Sequence, residues 1–410
     1  HAAHVAGCGG TPVAMGERLR VLFVTAWFPN SRSPMEGVFV REHARAVQIY
    51  DDVAVLHVAG HDPTVKGLFR LEEEHNASLT AGLPTIRSSH HRLPFPGLSA
   101  ATYGAGAMAA VRRLEQRGFR PDIVHAHVYS AGRPAALIAG WRHLPLVLTE
   151  HSSAFPRRLL TARQVRLARQ IMARAARVMP VSQALQRGIE DYGIRATFQV
   201  IPNVVDLAVF HPTVGAQEAG AMETTPMPEA APDTRHCLLF VGGLTPIKGT
   251  PDLLAALATL NQTRRDWRLE VVGDGAQRAE CAALVARLDL SDQVRFHGFQ
   301  PKSVVATFMR QADFLVLPSL WENSPCVIIE AMASGLPVIA SRVGGIPELV
   351  TEDTGILTPP GDSALLAAAL AQALQQPDRF ERRRLASKAR RYEPAVVGRD
   401  IDAVYREVLK

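Results

Sequence analysis

Residues 314–341 read FLVLPSLWENSPCVIIEAMASGLPVIAS. The run Phe314 to Leu317 is apolar without polar alternation, as expected for a strand buried on both faces. After the loop at 318–325 comes an apolar helical segment, Val327 to Ser334. Gly335 and Pro337 then punctuate the return to a second buried strand, Val338 to Ala340. Strand, helix and strand in that order make a parallel crossover unit.

Moving outward, the alternation continues on both sides. Upstream of the quoted stretch, strands at Cys237 to Val241, Leu269 to Val272 and Val294 to His297 are separated by helices at 251–260, 277–288 and 303–310. The first half carries strands Val21 to Thr25, Val53 to Val58, Ile123 to Ala126, Leu146 to Thr149 and Val178 to Val181. Helices near 38–49, 100–117, 131–140, 161–175 and 182–190 fall among them. The fold class is therefore α/β, with two Rossmann-like domains. Residues 1–17 read as leader or appended residues and 18–203 as the first domain. Residues 204–236, rich in Ala, Thr, Pro and Glu, read as a hinge, and 237–385 as the second domain. Helical patterns at 363–375 and from Arg379 to the end complete the chain, and the terminal helix of 386–410 is free to pack back on the first domain.

Composition agrees with a globular body: 47% hydrophobic and 20% charged residues among 410. Cys8, Cys237, Cys281 and Cys326 form no C-x-x-C pair, which argues against a disulfide or zinc framework. The chain has no secretory pattern and no apolar run of about 18 residues, so the expected location is the cytoplasm. The net charge of +6 is modest and no nucleic-acid partner is expected. Its distribution is uneven, with Arg157, Arg158, Arg163, Arg166, Arg169, Arg174 and Arg177 in one stretch free of acids that reads as helical. This basic helix of 157–177 either offers peripheral contact to the inner face of a membrane or is a solvated face beside a phosphate-binding cleft.

In open parallel sheets ligands sit beyond the carboxyl ends of the strands. There the second half places GGLTPIKG at 242–249, with Gly243 open to close approach and Lys248 charged for a diphosphate. A tight turn with a surface lysine would look the same. Gly273 closes the next strand in a turn and His297 ends the one after. Glu322 lies in the loop of the quoted stretch and Glu330 one turn into the following helix, within an apolar run where an unpartnered carboxylate would be costly. Between them Asn323, Ser324, Pro325, Cys326 and Val327 bracket a helix start whose free N–H groups suit a phosphate. In the first half Gly37 opens a helix, His127 ends a strand, and Glu150 and His151 end the next. A strand-end histidine is also a common structural hydrogen-bonder.

Glu322 and Glu330, separated by seven residues, together with the run Ala331 to Ser341 and the loop 242–249, resemble glycosyltransferase family 4. The family's corresponding elements are a glutamate pair at this spacing, A-M-A-x-G-x-P-V-I-A-S and G-R-L-x-x-x-K-G. In the first half EGVFVRE at 36–42 resembles the G-I-F-V-x-E of one branch, and the similarity spans roughly residues 18–385. The resemblance implies the GT-B architecture, with a deep cleft between the domains, and retaining transfer from a nucleotide diphosphate sugar, UDP- or GDP-linked. It implies no cofactor and no metal, and the acceptor would be a glycan, a lipid-linked molecule or a small metabolite. Glu322 would bind donor-sugar hydroxyls, Glu330 the ribose and Lys248 the diphosphate. Gly37 and the amides near 324–327 would assist, with His127 near the reacting carbon and Glu150 and His151 on the acceptor side. Gly243 departs from the pattern, because the family often has arginine there. The one D-x-D, Asp400 and Asp402, falls in the terminal helical segment, where side chains two apart diverge. A non-hydrolysing nucleotide-sugar epimerase shares the architecture, and a non-catalytic sugar-binding protein is the third reading. The stretch from Ile86 to Leu98, with His90, His91, Pro94 and Pro96, reads as an acceptor loop.

Overall fold

The computed structural model describes residues 17–91, 96–212 and 234–410, and within 96–100 the backbone only. Residues 1–16 and most of the expected hinge, 213–233, lie outside the described residues, as do 92–95 of the expected acceptor loop.

The first domain carries β1 (Arg20–Thr25), β2 (Asp52–His61), β3 (Phe69–Glu74), β4 (Thr85–His90), β5 (Ile123–His127), β6 (Leu146–Glu150) and β7 (Arg177–Pro180). Its helices are α1 (Val38–Gln48), α2 (Ala77–Thr80), α3 (Pro96–Gln116), α4 (Gly132–Arg142), α5 (Ala162–Met172) and α6 (Gln183–Glu190). The strands form one sheet in the order β3-β4-β2-β1-β5-β6-β7, parallel except for β3. The second domain has β8 (His236–Val241), β9 (Trp267–Val272), β10 (Val294–Gly298), β11 (Phe314–Leu317), β12 (Val338–Ser341) and β13 (Gly355–Thr358), in the order β10-β9-β8-β11-β12-β13. Its helices are α7 (Thr250–Asn261), α8 (Arg278–Arg287), α9 (Lys302–Gln311), α10 (Cys326–Ala333), α11 (Ile346–Leu349) and α12 (Ser363–Gln375), with α13 (Arg382–Ala389) and α14 (Pro394–Val408) after them. Both sheets carry an apolar core on each face, which is why their strands read as unbroken Val, Leu and Ile runs. These are two Rossmann-like domains, as the sequence pattern leads one to expect.

Three readings are corrected here. Ile86 to His90, taken as part of an acceptor loop, is strand β4, and its Arg87 is buried against Glu74 and His57. The seven arginines of 157–177 do not share one helix. Only Arg163, Arg166 and Arg169 lie in α5, while Arg158 meets Asp191 beyond a turn and Arg177 in β7 pairs with Glu407. The helical pattern from Arg379 to the end breaks at Tyr392 and Glu393 because Pro394 fits only the first turn of a new helix.

That new helix, α14, crosses back to the first domain. Val397, Ile401, Val404 and Tyr405 join the core cluster of Val21, Phe23 and Val40, and the Tyr50 hydroxyl donates to the Ala395 carbonyl at 2.7 Å. The domains also touch across their facing edges. The N–H groups of Gln183 and Ala184, at the start of α6, donate to the Glu348 carboxylate at 2.8 and 2.7 Å. No described helix is long and apolar enough to cross a membrane.

Candidate active site

On the second domain, β8 runs into a turn that carries Lys248 to the sheet's carboxyl edge, and β11 leads to the Glu322 loop alongside. Lys248 Nζ lies 2.5 Å from Glu322 Oε1, which also accepts the Ser319 hydroxyl at 2.8 Å. Lys248 and Glu322 are 74 residues apart in sequence, and the pairing of adjacent strands β8 and β11 brings their loops together. The loop backbone is fixed from behind by Gly344, where an added Cβ would lie 1.7 Å from the Glu322 carbonyl oxygen. Helix α10 begins at Cys326 with Pro325 as N-cap and no side-chain cap, leaving its first N–H groups available to an anion. Val327 packs on the core beneath.

Glu330 lies in α10 with Lys302 Nζ 3.8 Å away. Burial pushes its carboxyl above the usual carboxylate range, partly opposed by Lys302. Lys302 also reaches Glu42 of the first domain at 3.7 Å. Burial pushes the Glu42 carboxyl up, but Lys302, Arg41 and Arg45 together hold it below its ordinary value. Around Gly243 there is room: an added Cβ would find the Asp274 carbonyl oxygen at 3.7 Å and Thr245 Cγ2 at 3.9 Å.

Two other donor-side residues are taken up internally. The Gly273 N–H donates to the Gly298 carbonyl at 2.7 Å. His297 Nε2 sits 2.6 Å from Glu270 Oε2, in a network that includes Arg268. Asn323 and Ser324 face the first domain. The Asn323 amide donates to the His151 carbonyl at 2.7 Å, and the Ser324 carbonyl accepts the Asn203 amide at 2.8 Å.

Across that contact, the first domain presents Gly37, His127 and His151. Gly37 is the N-cap of α1 at φ 64°, and an added Cβ there would lie 2.2 Å from the Trp27 carbonyl oxygen. Only glycine meets both conditions, and the helix start has no side-chain cap. His127 ends β5. The next residue, Val128, is held at φ 60°, an outlier for a β-branched side chain, by its N–H bond to the Thr149 carbonyl at 2.9 Å. Such backbone strain costs about 1–3 kcal/mol and clusters at functional sites.

Glu150, expected on the acceptor side, is turned inward and fully buried. Its carboxylate accepts from the N–H groups of Tyr129, His151 and Ser152 at 2.9, 2.9 and 2.8 Å. Burial pushes the carboxyl up to about 7 against these bonds. Both oxygens are occupied, so its work in this arrangement is to hold the turns after β5 and β6.

His127 Nδ1 and His151 Nε2 are 3.2 Å apart, and His43 from α1 joins them, a residue the sequence reading missed. Burial drives all three imidazoles down, His43 to about 4 and the others well below the ordinary value. They are neutral near pH 7. Asp402, one half of the D-x-D, pairs with Arg406 in α14.

Two family models match the chain: Glycosyltransferase Family 4 over residues 46–209 and Glycosyl transferases group 1 over 222–392. The D-inositol 3-phosphate glycosyltransferase of Kineococcus radiotolerans is 32% identical over 305 residues, covering 68% of each chain. The glycogen synthase of Mycobacterium tuberculosis is 28% identical over 351 residues, covering 82% of this chain and 83% of its own. Among solved structures, Anabaena HepE in complex with UDP superposes with a TM-score of 0.72 at 22% identity, covering 95% of this chain and all of that one.

Proposed function

Since this chain belongs to the glycosyltransferases of family 4, with the GT-B fold, we propose that it moves a hexose-type sugar from a nucleoside diphosphate donor to an acceptor hydroxyl, with retention, in the synthesis of a glycan or glycoconjugate. The observation that carries this reading is the Lys248–Glu322 pair at 2.5 Å beside the uncapped start of α10. A cation, a set of free N–H groups and two carboxylates lie together at one sheet edge, as a diphosphate joined to a sugar and a ribose requires.

In the proposed mechanism the diphosphate draws Lys248 away from Glu322, and the released carboxylate accepts hydrogen bonds from sugar hydroxyls. Glu330 takes the ribose. As the glycosidic bond to the carrier breaks, negative charge grows on the β-phosphate, where Lys248 and the N–H groups of Gly37 and α10 stabilise it. These donors take the place of a bridging divalent ion. With Glu150 committed to backbone N–H groups, no carboxylate is offered from that turn as a nucleophile, which favours same-face attack with the departing phosphate accepting the acceptor's proton. His127 stands on the acceptor side. The UDP held by HepE supports a nucleoside diphosphate as carrier, and the names of relatives, such as the TuaC glycosyltransferase of teichuronic acid synthesis in Bacillus subtilis, support a surface glycan. Exposed Arg157, Arg163, Arg166 and Arg174 offer a basic face for peripheral membrane contact.

The test is thermal stabilisation by a panel of UDP-, GDP- and ADP-sugars, followed by transfer assays with the stabilising donor. A donor that raises Tm in the native chain, but fails to do so in Lys248→Ala, is expected. Epimerised donor formed without any acceptor, or no stabilisation by any nucleotide sugar, would overturn the proposal.

A further inference from the structure

The first domain brings together three histidines from three elements: His43 on α1, His127 at the end of β5 and His151 just beyond β6. All are buried, and one ring nitrogen from each lies within 4.8 Å of the other two. Their ring centroids form a near-equilateral triangle: His43–His127 5.8 Å, His43–His151 5.4 Å and His127–His151 5.5 Å. Three imidazoles on one tetrahedral ion, with metal–nitrogen bonds of about 2.0–2.1 Å, would place their centroids about 5.2 Å apart. The observed triangle needs to contract by only a few tenths of an ångström.

The hydrogen bonds point the same way. His43 Nε2 lies 3.1 Å from the Pro202 carbonyl oxygen, so it carries the proton and donates, and Nδ1 is left as a lone pair. That Nδ1 is buried and has no partner. An N–H given to a backbone carbonyl, with the second nitrogen free, is the usual setting of a metal-ligating histidine. His127 Nδ1 and His151 Nε2 face each other at 3.2 Å, about the spacing of two nitrogens on one tetrahedral ion, and with the His127 proton on Nε2, a buried atom also without a partner, both facing nitrogens bear lone pairs. Buried, unsatisfied ring nitrogens are costly unless something supplies the missing contact. Phe23, stacked on His127 at 4.8 Å, and Phe39, 4.5 Å from His151, wall the cluster with carbon.

We propose that His43, His127 and His151 form a binding site for a divalent transition-metal ion of the zinc class, and that its occupation inhibits glycosyl transfer by claiming the lone pairs of His127 and His151. A neutral set of three imidazoles suits Zn²⁺, Co²⁺, Ni²⁺ or Cu²⁺ and discriminates against Mg²⁺, which prefers oxygen ligands. The inhibitory part rests on the transferase reading above, and the binding part does not.

The full-length chain, stripped with a chelator and desalted, is titrated with Co²⁺ and followed by visible d–d absorption. The expected result is a stoichiometric four- or five-coordinate band, displaced by Zn²⁺ and untouched by Mg²⁺. Affinity should fall about tenfold or more in His43→Gln and in His151→Phe, the second of which keeps the ring's shape. In parallel, Zn²⁺ should inhibit transfer by the native chain and a chelator should restore it, whereas His43→Gln should transfer without metal and resist Zn²⁺. No band, or a band of equal affinity in both variants, overturns the site. A band that disappears in the variants while Zn²⁺ leaves transfer unchanged overturns the inhibition. A normal band in a chain without transfer activity on any donor counts against the transferase reading alone.

Discussion

Removing Lys248 and neutralising Glu322 should have opposite effects on nucleotide binding, although each should abolish most transfer. The two side chains are 2.5 Å apart and 23% and 11% exposed, so each partly neutralises the other before donor arrives. Lys248→Ala removes a full charge from the phosphate end. Loss of one preorganised donor to a developing oxyanion costs roughly 10²- to 10³-fold in kcat, about 3–4 kcal/mol. The upper end is expected here, since Gly243 leaves the loop with a single side-chain cation. Glu322→Gln keeps the shape, still accepts the Ser319 hydroxyl, and frees Lys248 from competition. A pair that keeps this much solvent contact contributes up to about 1 kcal/mol, so a nucleoside diphosphate should bind up to about fivefold more tightly to that variant. Its kcat should nonetheless fall, because the sugar loses a carboxylate acceptor. Initial rates over a donor series, with calorimetry of nucleoside diphosphate binding, separate the two effects. Equal weakening of diphosphate binding in both variants would refute the reasoning, as would near-native kcat in either.

Gly243→Arg placed in the Lys248→Ala background should recover about tenfold in kcat, a gain of about 1.4 kcal/mol, because the position has room for a side chain and the new cation enters the same loop. Failure to regain any diphosphate affinity by calorimetry would argue against a phosphate at that turn. The KM for donor should rise as pH falls through the raised pKa of Glu330: burial favours the protonated acid, which loses an acceptor for ribose hydroxyls, so the rise begins above the ordinary carboxylate range. A KM profile flat down to the ordinary range, or unchanged in Glu330→Gln, contradicts this. Gly37→Ala should destabilise the fold by about 1–3 kcal/mol from its positive φ alone, with more from the carbonyl at 2.2 Å, and a urea midpoint equal to the native one would show that the turn relaxes.

The unit β11-α10-β12 was legible because both strands are wholly buried and apolar, and glycine and proline mark its corners. Strands β3 and β4 were not. FRLEEE in β3 is an antiparallel edge strand whose Glu73 is answered by Arg113 and Arg117 of α3, so its charges blunt an edge where a local reading takes them for loop. TIRSSH in β4 hides polar groups whose partners, such as Glu74 and His57 for Arg87, come from other strands. His43 escaped notice for a related reason. Its position in a helix gives no hint of a strand-end partner, whereas β5 and β6 pair His127 with Thr149 in register and bring His151 one step beyond. Distance along the chain hid a cluster that sheet order creates.

The loop carrying Glu322 also carries Asn323, so one short segment faces the donor side through its carboxylate and the histidine side through an amide on the His151 carbonyl. Its backbone has little freedom. Gly344 and Gly345 press on the Glu322 and Asn323 carbonyls so closely that a Cβ on either would approach to 1.7 or 1.8 Å. If Glu322 leaves Lys248 when donor binds, the change must therefore be a side-chain rotation about a fixed backbone, and the Asn323 contact can persist through it. This separates two events that a moving loop would couple: exchange of Lys248 between carboxylate and phosphate, and parting of the two domains at His151. Glu322→Gln should then alter the first and leave the second intact.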